Sequence, residues 1–181
     1  MKATGIVRKI DDLGRIVIPK EIRKGLRIRV GDPLEIFVEK NGEVILKKYA
    51  PMGDLLKVSE QYAESLFGIS GYSVCITDTD SIVAVAGCAK KDYLDKEISE
   101  EVLSVLQDRS VWMTKDDKVL KIAKVEGTVK YTSQIISPII SDGDIIGSVI
   151  LFSLNQIKKP SDTELKLVQT AASFLGKQLE Q

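Results

Sequence analysis

TGIVRKIDDLGRIVIPKEIRKGLRIR, at residues 4–29, contains the strongest local structure signals of this 181-residue chain. Two β-favouring runs, 5–10 and 15–18, flank the turn-forming residues 11–14. Gly14 can adopt a positive φ at little steric cost, which suits a tight turn. The pattern predicts a strand, a turn and a second strand.

A short helix is predicted directly after the second strand. Pro19 has no N–H to give to a strand ladder, so it ends the strand, and its fixed φ suits the first turn of a helix. The helix is expected over about 19–24, with Gly25 as the residue that stops it. Basic residues continue through this segment.

A second hairpin is predicted after the helix. Apolar residues alternate with other residues over 34–39, the pair Asn41-Gly42 is a strong short hairpin signal, and apolar residues return at 44–46. These strands are short and apolar on both faces, and fifty residues can bury only a modest core. We therefore expect two chains to interleave here as an obligate dimer.

Charge is divided unevenly along the chain. Residues 1–50 carry twelve Lys and Arg against seven Asp and Glu, a net charge of +5, and the rest carry fourteen against nineteen, a net charge of −5. The formal net charge of zero is therefore the sum of a basic segment at residues 1–50, called the head, and an acidic remainder, called the body. Such asymmetry favours a polyanionic partner for the basic part and salt-dependent binding.

The segments TGIVRKIDDLGRIVIPKEIRKGLRI and GDPLEIFVEKNGEVILKKY closely resemble the head of AbrB-type transition-state regulators. The resemblance implies a dimeric swapped-hairpin β-barrel that grips DNA with basic residues on its turns and helix. The matching DNA-binding positions are Arg8, Lys9, Arg15, Arg23 and Lys24. Lys24 stands where relatives often have arginine, so a bidentate contact is lost there. Weaker candidates, for phosphate contact only, are Lys2, Thr4 and Lys20.

The expected domain organisation is a DNA-binding head at 1–50, a short linker at 51–55, and a second domain at 56–181. Ala50, Pro51 and Gly53 interrupt the patterns on both sides. A linker this short should couple the two domains geometrically.

The second domain reads as helix, hairpin, helices, short strand, hairpin and helix, an α+β order with an antiparallel sheet. Residues 144–153 form the most apolar run and should be the central strand, whereas Pro138 predicts an edge or a bulge. The order resembles a GAF domain with flanking helices, which implies sensing or oligomerisation. No residue pattern names a ligand, so the ligand-binding residues stay unknown.

The last helix begins with a capping box, Ser161-Asp162-Thr163-Glu164. Its apolar residues recur at spacings of three and four, which is typical of a coiled-coil seam. The same stripe would also suit packing on the domain's own sheet. The oligomerisation candidates on this seam are Leu165, Val168, Ala172, Leu175 and Leu179.

Several function classes are disfavoured by composition. The chain has no histidine, and Cys75 and Cys88 form neither a CxxC pair nor a zinc pattern. We therefore expect no catalytic residue, no metal, no cofactor and no enzymatic activity. The apolar run at 145–154 is too short to span a bilayer and no apolar signal segment follows Met1, so a cytoplasmic location is expected.

The leading functional hypothesis is a transcription regulator that binds double-stranded, AT-rich DNA with tolerant sequence preference. A head of this type followed by a GAF-like body resembles tetrameric regulators of spore-forming bacteria. That resemblance implies dimers through the head, tetramers through the second domain, and activation or repression of sporulation genes, with a possible small-molecule ligand. The alternative hypothesis is an antitoxin whose folded C-terminal domain binds its partner.

Overall fold

The computed structural model describes residues 5–49, 52, 55–115, 118–125, 131–154 and 159–180. The chain divides into two compact units, Met1–Tyr49 and Ala50–Gln181. Residues 51, 53 and 54 of the expected linker lie outside the described part. Each unit is described by itself.

The first unit contains one short helix and one hairpin: α1 (Lys20–Gly25), β1 (Leu34–Val38) and β2 (Val44–Lys48). The two strands pair antiparallel. Gly42 has a φ of 85°, the left-handed conformation that glycine tolerates. The helix and the hairpin predicted from sequence are therefore confirmed.

Two features of the first unit differ from the expectation within the single chain. The predicted strands at 5–10 and 15–18 are not formed within the described chain, because these segments have no ladder partner and are joined only at their turn. There the Asp11 N–H donates to the Arg15 carbonyl at 3.1 Å and the Gly14 N–H to the Asp11 carbonyl at 2.9 Å. Gly25 is the last helical residue, and the left-handed φ of 56° falls on Arg27 instead.

The second unit is an antiparallel sheet with helices on both faces. The strand order is β4-β3-β7-β6-β5. The elements in chain order are α2 (Leu56–Ser70), β3 (Ser73–Thr77), β4 (Ile82–Ala86), α3 (Lys90–Tyr93), α4 (Glu100–Gln107), β5 (Trp112–Met113), β6 (Tyr131–Ser141), β7 (Asp144–Leu154) and α5 (Asp162–Lys177).

The strand positions follow from hydrophobicity and from proline. β7 lies third of five, as its apolar sequence predicts. β5 pairs with β6 only at Ile135 and Ile136, so Pro138 lies beyond that contact and its missing N–H interrupts no ladder there. The polar sequence of 110–118 predicts a loop, but β5 forms within it. The residues 119–123, whose sequence predicts a short strand, form only an isolated bridge between Ala123 and Ile98.

Successive apolar side chains of the strands point to opposite faces of the sheet, and they form one hydrophobic core on each face. Val149 and Leu151 of β7 face the side covered by α2 and α5, whereas Ile150 and Phe152 face the side covered by α4. This is the two-residue period of a strand buried on both faces.

The predicted seam of α5 lies mostly inside its own unit. Val168, Ala172 and Leu175 are buried in the core beneath α2 and α5, and Leu165 and Leu179 pack at its margin. The capping box is present, with Ser161 accepting from the helix backbone and Glu164 accepting from the Ser161 N–H at 2.8 Å. The three buried residues are therefore corrected from oligomer contacts to core residues.

Candidate nucleic-acid interface

The turn between the two N-terminal segments is built around one carboxylate. Asp11 Oδ1 accepts the backbone N–H of Leu13 at 3.0 Å and of Arg15 at 2.8 Å. Asp11 Oδ2 accepts Nε–H of the Arg15 guanidinium, also at 2.8 Å. The backbone N–H of Arg15, and then its guanidinium, hold the pKa of Asp11 below the ordinary value, so the carboxylate stays charged.

Arg15 is exposed although it is tied to the turn. Its side chain is 69% accessible, and only Nε is engaged by Asp11. The two terminal nitrogens of the guanidinium carry the fork of N–H donors that suits phosphate and base edges. The turn therefore presents a cation of restricted orientation to solvent.

The helix α1 positions a second group of basic residues. Pro19 precedes the first turn and fixes its entry. Arg23 is half-buried, and its Nε–H donates to the Ile18 carbonyl at 3.2 Å. Lys20 and Lys24 are exposed. Arg23 is thus anchored to the segment before the helix, whereas the two lysines are free to meet solvent or a polyanion.

Most of the predicted DNA-binding residues lie on the surface of the first unit. Arg8 and Lys9 are exposed, and Arg8 Nη1 donates to the neighbouring Val7 carbonyl at 3.2 Å. The weaker candidates Lys2 and Thr4 lie outside the described residues. The acidic Asp11 was missed by the sequence reasoning, although an Asp four residues before an Arg, across a Gly-containing turn, was a visible signal.

A second ion pair fixes the connection between α1 and the hairpin. Lys48 Nζ lies 3.1 Å from Asp32 Oδ2, and both side chains are less than one-fifth exposed. The same carboxylate oxygen accepts the Arg29 N–H at 2.9 Å. Lys48 therefore contributes to the structure of the unit, in contrast to the exposed cations.

The first unit exposes an unusual amount of apolar surface. None of residues 5–49 is buried. Val7 is 85% exposed and Val30 is 92% exposed. Further large apolar residues more than half exposed are Ile10, Leu13, Ile16, Val17, Leu26, Ile36, Val38 and Val44. Apolar exposure on this scale is typical of a surface that interacts with another molecule.

The second unit offers few chemically active groups. No group of three His, Cys, Asp or Glu among the described residues could hold a metal ion. Cys75 is buried and Cys88 is half-buried, and a hydrogen bond from Cys75 lowers the pKa of the Cys88 thiol. Within the described segments, no helix has both the length and the hydropathy needed to cross a membrane.

Two family models match the chain. Residues 54–180 match "Stage V sporulation protein T C-terminal, transcription factor". Residues 7–54 match "Antidote-toxin recognition MazE, bacterial antitoxin".

Two proteins of Bacillus subtilis are similar in sequence to this chain, one over its whole length and one over its head. Stage V sporulation protein T of Bacillus subtilis is 50% identical over 183 residues, covering 100% of both chains. The transition state regulatory protein AbrB of the same organism is 59% identical over 51 residues, covering 28% of this chain and 52% of that protein. The first unit is therefore AbrB-like in sequence.

Solved structures identify the fold of the second unit. A GAF domain of an Acinetobacter phosphoenolpyruvate-protein phosphotransferase aligns with a TM-score of 0.59 at 17% identity, covering 69% of this chain and 81% of that one. The PixJ GAF domain of Thermosynechococcus elongatus aligns with a TM-score of 0.57 at 13% identity, covering 74% and 89%. The second unit has a GAF-like fold, and the chain as a whole is α+β, as predicted.

Proposed function

This chain belongs to the stage V sporulation protein T family of transcription factors, and we propose that it regulates sporulation genes by gripping double-stranded DNA with its first unit. The observation that carries this proposal is the set of exposed basic side chains on a unit of net charge +5. Members of this set are Arg8, Lys9, Arg15, Lys20 and Lys24, with Arg23 half-buried beside them.

DNA binding by the first unit would depend on contacts with the phosphates and on the shape of the DNA. The described part of the unit has only one helix, the six-residue α1, which is too short to act as a long recognition helix in a major groove. Basic side chains on turns contact the backbone readily, and deformable sequences then bind best. We therefore expect tolerant, AT-rich sites, with activation at some promoters and repression at others.

The first unit would function as a dimer with exchanged hairpins. None of residues 5–49 is buried within one chain, and segments 5–10 and 15–18 have β-favouring sequences without a ladder partner. A second copy would supply a ladder partner for these segments, and its strands would cover the exposed apolar side chains.

A further pairing through the second unit would produce a tetramer. Phe67 and Leu56 on α2 and Phe174 on α5 are exposed apolar residues, and Tyr62 stacks on Phe174 with ring centroids 5.4 Å apart. These helices, rather than the buried seam of α5, offer the surface for a second copy. Two head dimers in one assembly would grip two DNA sites and gain affinity by effective concentration.

The GAF-like unit could adjust this assembly by binding a small molecule. Gln134 is fully buried, and its Oε1 accepts the Leu120 N–H. Its Nε2 has no hydrogen-bond partner among the described residues, and a buried donor of this kind favours a ligand or water oxygen. The role would be sensing rather than catalysis, in keeping with a transcription-factor family, and gene regulation in a bacterium would take place in the cytoplasm.

The antitoxin hypothesis receives less support. The match to an antitoxin model covers residues 7–54 only, whereas the transcription-factor model covers 54–180 and a transcription-regulator relative covers the AbrB-like head. The second unit is a folded GAF-like sheet rather than an extended partner-binding tail.

Fluorescence anisotropy of the full chain on an AT-rich duplex across a salt series tests the DNA grip. We expect affinity to fall steeply with salt, and Arg15→Ala to weaken binding about tenfold and to reduce the salt slope by about 1. Lys90→Ala, which removes an equal charge from the exposed surface of α3, should leave binding unchanged. Equal effects of the two substitutions would reject a specific DNA contact of Arg15.

A further inference from the structure

An acidic residue lies in the middle of the proposed DNA-binding surface. Asp11 is partly exposed, at 41% of its side chain, and it is four residues from Arg15. A carboxylate at this position repels phosphates, and electrostatics alone would therefore favour its removal. An ion pair this exposed also contributes little to stability. Neither its charge nor the stability contributed by this ion pair accounts for its place.

The hydrogen bonds of Asp11 divide between two tasks. Oδ1 accepts two backbone N–H groups and so shapes the turn. Oδ2 accepts only the Arg15 Nε–H and so orients the guanidinium. With Nε held, the two terminal nitrogens remain available, and fewer side-chain rotamers are lost when they meet DNA.

We propose that Asp11 is a positioning residue that holds the Arg15 guanidinium in its DNA-binding orientation. This inference rests on the proposed function, in which Arg15 contacts DNA. The partner is the phosphate backbone or a base edge, since both accept the paired N–H donors of a guanidinium.

The substitution Asp11→Asn separates the two tasks. The side-chain oxygen of Asn can still accept the backbone N–H groups of Leu13 and Arg15, so the turn is kept. The amide nitrogen then replaces Oδ2, and two donors face each other where Asp11 met Arg15. The variant therefore loses the tether while it gains one positive unit of net charge.

Asp12→Asn is the matched control. Asp12 is the adjacent residue, it is exposed, and its carboxylate has no hydrogen bond or ion pair with any residue that the structure describes. The two substitutions change the net charge equally. A purely electrostatic role predicts tighter DNA binding in both variants, whereas positioning predicts that only Asp11→Asn weakens binding.

The test is a double-mutant cycle with the full chain, measured by anisotropy on the AT-rich duplex at constant salt. We expect Asp11→Asn to weaken binding about threefold to tenfold, because contacting residues in one network couple strongly. Asp12→Asn should leave affinity unchanged or tighten it slightly. In an Arg15→Ala background, Asp11→Asn should no longer weaken binding, because there is no guanidinium left to hold.

A spectroscopic readout separates positioning from folding. In full-length protein labelled with 15N-arginine, the Arg15 Nε–H signal should be visible in the wild type and lost by solvent exchange in Asp11→Asn. The thermal melting temperature should be the same in both proteins.

Three results would overturn the inference. Tighter DNA binding by Asp11→Asn would show that Asp11 affects binding only through the repulsion between its carboxylate and the phosphates. Equal weakening in the Arg15→Ala background would assign Asp11 to the turn alone. An Arg15 Nε–H signal unchanged by Asp11→Asn would show that no tether exists. A separate result, normal affinity of Arg15→Ala itself, would instead contradict the proposed DNA contact of Arg15.

Discussion

At the scale of single residues, the two units use polar groups for different purposes. In the first unit, Asp11 and Arg15 are exposed and therefore suit recognition. In the second unit, several Ser, Thr and Gln side chains are buried, where polar groups are usually hydrogen-bonded. Thr77 Oγ1 and Ser148 Oγ lie 2.7 Å apart between β3 and β7, and both are fully buried. Such buried pairs contribute to the specificity of strand register.

Tyr72 makes the stability of the second unit sensitive to alkaline pH. Its side chain is buried, and burial, followed by the nearby Glu164 carboxylate, raises its pKa from 10.0 to about 12. The unfolded chain loses the Tyr72 proton at lower pH than the folded chain does. The contribution of Tyr72 to the stability of the folded state is therefore fully present below pH 10 and is lost as pH rises from 10 to 12. We expect a progressive loss of stability across this window.

The comparison of wild type with Tyr72→Phe isolates this effect. Phenylalanine keeps the ring and removes the titrating hydroxyl, so the melting temperature of Tyr72→Phe should fall less between pH 10 and 12. Parallel losses in the two proteins, measured by thermal denaturation, would contradict the role of Tyr72.

At the scale of elements, α5 combines a local signal with a tertiary fit. Its capping box satisfies backbone donors at the start of the helix, independently of the rest of the chain. Near its end, Gly176 approaches β6 so closely that a Cβ there would overlap the Ile140 carbonyl oxygen. The glycine is thus needed for close packing, since its φ lies outside the left-handed region.

Gly176→Ala and Gly68→Ala should have opposite effects on stability. Both glycines are helical, but a Cβ at Gly68 meets no atom within 4 Å. Alanine favours helices, so Gly68→Ala should stabilise by up to about 1 kcal/mol. Gly176→Ala should destabilise by about 1–3 kcal/mol, because overpacking forces α5 away from β6. Denaturant unfolding measures both, and a stabilised Gly176→Ala would show that the approach is not tight.

At the scale of the whole molecule, the two units differ in what they need from another chain. The second unit contains every buried residue of the described chain, in two cores on either side of its sheet. The first unit contains none and carries the excess of positive charge. We propose that 1–50 and 56–181 are separate domains, of which only the second can fold as a single chain.

Isolated fragments test this division. Residues 50–181 should unfold cooperatively at a temperature that does not depend on protein concentration. Residues 1–50 should melt at a temperature that rises with concentration, because folding is coupled to dimerisation. Light scattering that shows a folded monomer of 1–50 at micromolar concentration would refute the interleaved dimer.

Sequence reasoning succeeded where a signal is local. Asn41-Gly42 predicted the hairpin between β1 and β2, and Ser161 with Glu164 predicted the start of α5. It failed where pairing is distant in the chain. The two residues of β5 became a strand only because they meet β6 more than twenty residues later, and no local pattern reports that contact.

The candidate interface can also be predicted from the sequence only in part. The basic residues of the first unit can be named from the sequence, and so can its family resemblance, because charge and motif are properties of the chain itself. The tether from Asp11 to Arg15 requires the turn geometry that brings the carboxylate to the guanidinium.

Composition and local pattern thus determine the basic head, the capped last helix and the apolar central strand, since each depends on neighbours a few residues apart. Only the tertiary structure decides which face of α5 is covered. The spacing of Val168, Ala172 and Leu175 suits a partner helix or a sheet equally well, and packing against β6 settles the choice because it removes these side chains from water within the same chain.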